Sequence, residues 1–106
     1  MPKYLVAGSY SADGLKGLQR DKASGRRTAV TAAVEGAGGK LESLYYALGE
    51  DDVYLIVDLP DNVSAAAFGI SVSAAGLVRT RTIALMTVEE VDQALAKSVN
   101  YRAPGR

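Results

Sequence analysis

Asp58 is the residue in this chain best suited to acid–base chemistry. It lies in the apolar segment VYLIVDL, residues 53–59, and the alternation of side chains along a strand places it on the same face as Tyr54 and Ile56. Burial of a carboxylate raises its pKa toward a value that is useful for proton transfer. We therefore predict Asp58 as a general base. The alternative is that Asp58 lies at the end of its strand, in water or hydrogen-bonded to the following turn.

Tyrosines provide the second group of candidate functional side chains. The chain has six tyrosines but one phenylalanine and no tryptophan, a composition that favours positions where a hydroxyl is needed. We expect Tyr4, Tyr10 and Tyr54 to line one cavity. There Tyr54 and Tyr10 would orient a phenol, quinone or carboxylate beside Asp58, and Tyr4 would help to bind it. The alternative is that the tyrosines pack in a subunit interface with their hydroxyls satisfied.

Charged segments suggest further, less specific sites. The run SGRR, residues 24–27, places Arg26 and Arg27 at a predicted helix start, where free amides favour anions. Arg27 is thus a candidate ligand for a carboxylate or phosphate, with a solvated helix end as the alternative. The acidic run at residues 50–52 lacks an ordered cation-binding pattern, so we predict a solvated turn. Arg79 and Arg81 are predicted to discourage further strand pairing at a sheet edge.

The residue types that are missing exclude several kinds of chemistry. There is no cysteine and no histidine, which excludes disulfides, thiolate nucleophiles, Cys- or His-based metal sites and the commonest general base. We predict no metal and no cofactor. Twelve basic and twelve acidic residues are scattered without the basic stripe of a nucleic-acid binder. No apolar run is long enough to span a membrane, and the N-terminus is typical of a strand, so we expect a cytoplasmic protein.

The predicted elements follow the order β-α-β-β-α-β in a single domain covering residues 1–106. Strands are predicted over residues 3–10, 40–48, 53–59 and 77–86. The first crossover is predicted as a short helix capped by Ser11, a break at residues 22–25, and a second helical piece that ends at Gly38. The second crossover is a helix from Asp61 or Asn62 to about Ala75.

A third helix is predicted after the strand at residues 77–86. Thr87 and Glu90 form a capping box, and Val91 and Leu95 continue the helix. In the second crossover helix, the apolar positions Val63 and Ile70, together with alanines, are predicted to face the sheet.

This order predicts a ferredoxin-like α+β sandwich with an extra C-terminal helix. Right-handed crossovers place both crossover helices on one face of the sheet and leave the other face open. The segment at residues 53–59 is nevertheless apolar on both faces, and exposed apolar patches of this size usually mark an interface. We therefore expect the open face to pack on a second copy of the chain, which would form a homodimer.

The residues in three places resemble the GYD domain family of small bacterial proteins. They are Ser9-Tyr10 in the first strand, Gly38-Gly39, and GEDDVYLIVDLPDN at residues 49–62. The resemblance implies membership of the dimeric α/β-barrel superfamily, which agrees with the dimer expected above. That superfamily includes cofactor-independent monooxygenases, muconolactone isomerases, haem-degrading enzymes and dye-decolourising peroxidases.

Two functional hypotheses follow. The first is a homodimeric barrel that binds a small aromatic or carbonyl-containing metabolite; if it is an enzyme, it would be a cofactor-independent oxygenase or isomerase with Asp58 as the base. The second is a non-catalytic ligand-binding or assembly module whose barrel is filled with side chains. A cavity beside Asp58 and Tyr54 distinguishes the two.

Overall fold

The computed structural model describes all residues from Met1 to Arg106. The strands are β1, Lys3–Tyr10; β2, Lys40–Tyr46; β3, Val53–Asp58; and β4, Val78–Leu85. The helices are α1, Ala12–Gly36; α2, Asn62–Ala74; and α3, Val88–Ala96. The predicted element order is confirmed, and each strand ends within two residues of its predicted limits. None of the helices combines the length and the apolar character needed to cross a membrane.

The four strands form one antiparallel sheet in the order β2-β3-β1-β4. This is the ferredoxin-like order. It places β4, the strand that contains Arg79 and Arg81, at one edge of the sheet, as predicted. The sheet of the single chain is open and does not close into a barrel. The two crossover helices α1 and α2 both pack on one face, because Val34 of α1 and Phe68 of α2 join the same buried cluster as the strand residues.

The hydrophobic core lies between this face and the two helices. Alternate residues of β1 and β3 point into it, as the period of two along a strand requires. The most completely buried large side chains are Val6, Val34, Val57 and Leu59. The opposite side of the sheet, which we call the open face, has no helix over it.

The helix α1 is interrupted where the sequence predicts a break. Lys22 has φ 66° and ψ 165°, outside the helical range, and the chain then resumes a helix that runs to Gly36. The Ser11 side chain accepts a hydrogen bond from the amide of Gly14 and caps the first piece as predicted. The spacing of Leu15 and Leu18 in the sequence predicts an apolar side for this piece, but only Leu18 is half-buried and Leu15 is exposed. Gly14 is buried instead, against the carbonyl group of Leu77.

The helix α2 has the predicted limits but presents a different face to the sheet. Asp61 caps it by accepting a hydrogen bond from the amide of Ser64. Ala65 and Phe68 are buried, whereas Val63 and Ile70 are exposed. The prediction for Val63 and Ile70 is therefore wrong: apolar residues occur on nearly every side of this alanine-rich helix, so its periodicity does not define an inward face.

The C-terminal helix α3 stands apart from the rest of the domain. The predicted capping box between Thr87 and Glu90 is present, but every residue of the helix is exposed, including Val88, Val91 and Leu95. The radius of gyration is 17.0 Å, whereas a compact chain of this length has a value of about 13 Å. The apolar stripe of α3 is therefore not covered by its own chain.

Candidate functional site

The sheet separates the predicted site residues into two groups. Tyr4 pairs with Val57 across β1 and β3, and Ala7 pairs with Tyr54. Paired residues share a face, so Tyr4 and Tyr10 point toward the helices, while Tyr54 and Asp58 point to the open face. The prediction that Tyr4, Tyr10 and Tyr54 line one cavity is wrong. Tyr4 and Tyr10 lie on the same side of β1, because they are an even number of residues apart. The register of β1 on β3 places Val57 on that side and Tyr54 on the other.

Asp58 lies on the open face as predicted, but it is paired. Its carboxylate accepts a hydrogen bond from the ammonium group of Lys3 at 2.8 Å, and the same ammonium donates to Glu42 at 2.7 Å. The Asp58 and Glu42 carboxylates raise the pKa of Lys3. Asp58 is half-buried and ion-paired at the end of β3, in contrast to the expected buried carboxylate, and the site at this end of the sheet is a Glu42–Lys3–Asp58 cluster.

A second polar cluster occupies the other end of the open face, around Asp51. This carboxylate accepts hydrogen bonds from Arg81 at 2.6 Å, from Ser9 at 3.0 Å and from the hydroxyl of Tyr54 at 3.3 Å. The Arg81 guanidinium is the main cause that lowers the pKa of Asp51, followed by the Ser9 hydroxyl.

The turn that contains Asp51 is also tied to the first strand. The neighbouring Asp52 accepts a hydrogen bond from the backbone N–H of Tyr10 at 2.8 Å. The prediction of a merely solvated acidic turn is thus wrong: the carboxylates of Asp51 and Asp52 connect the turn to β1 and β4.

An apolar band separates the two clusters on the open face. Leu5 and Ile56 are half-buried in its centre, and Ile83 of the edge strand is 44% exposed. Leu5 pairs with both of the other residues across neighbouring strands, so the three side chains are contiguous. This arrangement, apolar in the middle and polar at both ends, is typical of a protein interface.

On the helix side of the sheet, Tyr4 has a structural environment. Its ring is buried in the core, 3% exposed, and its hydroxyl donates to the side chain of Asn62 at 2.7 Å. A buried tyrosine with a satisfied hydroxyl fills space and anchors the start of α2. This agrees with the alternative of a packed tyrosine, although the packing is within the core and not in a subunit interface.

Tyr10 lies at a small cavity between the helices and the sheet. The cavity has a volume of about 80 Å³, and Tyr10, Tyr46 and Arg26 are its polar lining residues together with Thr80. Arg27, which was the predicted anion ligand, lies on the outer surface beside Leu41 and Glu42. The sequence does not indicate that Tyr46 and Arg26 line the same cavity, because only the strand register and the break in α1 bring them together.

The structure contains no group of three or more carboxylates that could hold a metal ion. It contains no buried polar side-chain atom that lacks a hydrogen-bond partner. On the open face, Lys3, Asp58, Glu42, Asp51 and Arg81 are paired with one another, so a ligand at these groups would have to compete with ion pairs that already exist.

Comparison with known proteins gives one match. The sequence model of the GYD domain matches residues 4–95 of the 106-residue chain. No curated protein and no solved structure matches the chain. The match includes the sheet, both crossover helices and most of α3, and the chain therefore belongs to the GYD domain family.

Proposed function

We propose that this protein is a homodimeric small-molecule-binding protein in which the open faces of two copies meet and enclose the ligand. The observation that carries the proposal is the apolar band of Leu5, Ile56 and Ile83 on a sheet face that no helix of its own chain covers. Covering this band removes apolar surface from water, which is the dominant favourable term in protein association.

The ion pairs of the open face are compatible with such an interface, whereas Arg79 on the edge strand is exposed and has no ion-pair partner in its own chain. Lys3 is paired with Asp58 and Glu42, and Arg81 is paired with Asp51, all within one chain. A second copy that covers these residues therefore buries each of them with its partner. Burial of a charge without a partner would be the costly case. The exposed stripe of α3 supports the same conclusion, since a partner would also cover Val88, Val91 and Leu95.

The catalytic form of the proposal is a cofactor-independent oxygenase or isomerase. Asp58 would abstract a proton from an aromatic or carbonyl-containing metabolite, and Tyr54 would orient it. Tyr10 takes no part, because it lies on the other side of the sheet. In this form a ligand that displaces Lys3 from Asp58 would free the carboxylate to act as a base.

The non-catalytic form is favoured by one specific observation. Asp58 and the Tyr54 hydroxyl already have partners, Lys3 and Asp51 respectively. An assembly module whose barrel is filled with side chains needs no further ligand at these groups. The two forms agree on the dimer and differ in whether space remains beside Asp58.

The dimer is tested by measuring the mass in solution at micromolar concentration. We expect the wild type to have the mass of two chains and Ile83→Asp to have the mass of one. Ile70→Asp is the matched control, because Ile70 is exposed on α2, away from the open face. A monomeric wild type would overturn the proposal, and so would a dimer that is lost in Ile70→Asp but retained in Ile83→Asp.

The ligand is tested by a thermal-shift screen of aromatic and carbonyl compounds, since binding to the native state alone raises the apparent stability. Compounds that stabilise the wild type are then followed for conversion. Asp58→Asn should abolish conversion while the dimer remains folded. Conversion at the wild-type rate in that variant would refute the role of Asp58, and stabilisation without conversion would support the non-catalytic form.

A further inference from the structure

The small cavity between the helices and the sheet lies on the side opposite the open face. Apolar side chains from both crossover helices and from the sheet form most of its wall; they include Val6, Val30, Leu44, Leu55, Phe68 and Val72. The cavity is therefore a property of the single chain. Its function does not depend on the dimer proposed above.

Three of the four polar side chains that line this cavity lie near one another; the fourth is that of Thr80. Tyr10 ends β1, Tyr46 ends β2, and Arg26 follows the break in α1. All are partly accessible: Arg26 and Tyr10 are half-buried, and Tyr46 is 37% exposed. An apolar cavity with a few convergent polar groups is the usual composition of a small-molecule site.

The hydroxyl of Tyr46 stays protonated over the whole physiological pH range. Burial, together with the neighbouring Tyr10 hydroxyl, raises the pKa of Tyr46 to about 12, although Arg26 and Arg27 oppose the shift. A tyrosine that stays protonated can donate its O–H to an anion but carries no charge to repel it. The geometry of the cavity and this protonation state thus favour the same class of ligand.

Arg26 supplies a positive charge that its own chain satisfies poorly. Its nearest carboxylate is that of Asp21, at 3.8 Å, which is beyond hydrogen-bonding distance. A guanidinium group has five N–H donors in a planar fork that matches a carboxylate. Arg26 can therefore turn toward a ligand without giving up a hydrogen bond to another side chain.

We propose that this cavity binds a small carboxylate with a short branched alkyl chain. The carboxylate would accept hydrogen bonds from Arg26, Tyr10 and Tyr46, and the alkyl chain would enter the apolar cavity. The volume of about 80 Å³ sets the size, since an apolar cavity of roughly 150 Å³ is known to hold benzene. A branched group of a few carbon atoms fits the smaller space better than an aromatic ring does.

Isovalerate is a suitable probe, because it combines a carboxylate with a branched chain of this size. Binding is followed by titration with methyl NMR on the full chain, which locates the ligand as well as its affinity. We expect shifts at Val30, Leu44 and Val72, and none at Ile56 or Ile83 of the open face. Isovaleramide, which has the same shape without the charge, and acetate, which lacks the branched chain, should each bind at least about tenfold more weakly.

Two substitutions test the assigned residues. Arg26→Gln should weaken isovalerate binding about tenfold or more, and Tyr46→Phe should weaken it severalfold. Arg27→Gln is the matched control, because Arg27 is adjacent in sequence but lies on the outer surface. The affinity of this variant for isovalerate should stay within about twofold of the wild-type value.

Several results would overturn the proposal. One is that isovalerate and isovaleramide bind with equal affinity, and another is that Arg26→Gln and Arg27→Gln lose the same affinity for isovalerate. The others are NMR shifts confined to the open face and the absence of any NMR shift. None of them bears on the dimer, whose mass is measured separately. A failed titration with a dimeric protein therefore refutes this cavity and leaves the proposed function in place.

Discussion

Gly14→Ala should destabilise the protein, although alanine is normally the better helix residue. Gly14 lies in the first turn of α1, where the helix meets the chain just before β4. A Cβ atom at this position would overlap the carbonyl oxygen of Leu77 and come within 3.2 Å of the Tyr10 ring. Because the obstacle is backbone, it cannot be relieved by turning a side chain.

The magnitude follows from three contributions. Overpacking a well-filled site costs typically about 1–3 kcal/mol. The Leu77 carbonyl also accepts a hydrogen bond from the Ser11 amide at 2.9 Å, and moving it puts about 0.5–1.5 kcal/mol at risk. The higher helix propensity of alanine returns about 1 kcal/mol. The expected net loss in the free energy of unfolding is therefore about 1–3 kcal/mol.

Gly17→Ala is the matched control, one turn further along the same helix. A Cβ atom there meets nothing within 4 Å, so only the gain in helix propensity remains, about 0.5–1 kcal/mol. In thermal unfolding followed by circular dichroism, the melting temperature of Gly14→Ala should be roughly 5–15 °C below that of the wild type, and that of Gly17→Ala should be a few degrees above it. If both variants were stabilised equally, the packing of α1 against Leu77 would be refuted.

Two further predictions concern the core and the acidic turn. Phe68 is 5% exposed, so Phe68→Ala should lower the free energy of unfolding in urea by about 3–5 kcal/mol. Ile70→Ala, on the exposed side of the same helix, should change it by less than about 0.5 kcal/mol. Equal effects would contradict the orientation of α2. The pKa of Asp51 is lowered from its ordinary 3.8, so its contribution is complete above that value and is lost as the pH falls through the lowered value. The Asp51 contribution to the urea midpoint should therefore be constant between about pH 6 and pH 5 and decrease as the pH falls below about 4. An equal decrease in Asp51→Asn would contradict this role.

Local signals in the sequence predict most of the fold. A short apolar run bounded by turn residues locates β3, and the caps at Ser11, Asp61 and Thr87 locate the starts of the three helices. These signals succeed because each depends on residues within a few positions of one another. The break at Lys22 is predicted for the same reason, since glycine and serine near it disfavour a continuous helix.

The candidate site is less predictable because its partners are distant in sequence. Asp58 was predicted on the correct face, but Lys3, which neutralises it, lies 55 positions away along the chain. No local pattern indicates that pairing; it follows from the register of β1 on β3. The same register separates Tyr10 from Tyr54, and a change of one residue would have brought them to one face.

This separation limits how one chain could perform chemistry with these residues. The open face has the carboxylate of Asp58, which is already ion-paired. The other side has a cavity whose lining residues carry a guanidinium and three hydroxyls but no carboxylate. A reaction that needs a base and an apolar pocket together would therefore need a second copy to cover the open face and enclose Asp58. Binding of a small carboxylate needs only the cavity of one chain. The two proposals thus make opposite demands on assembly, and an obligate monomer would retain the second function while losing the first.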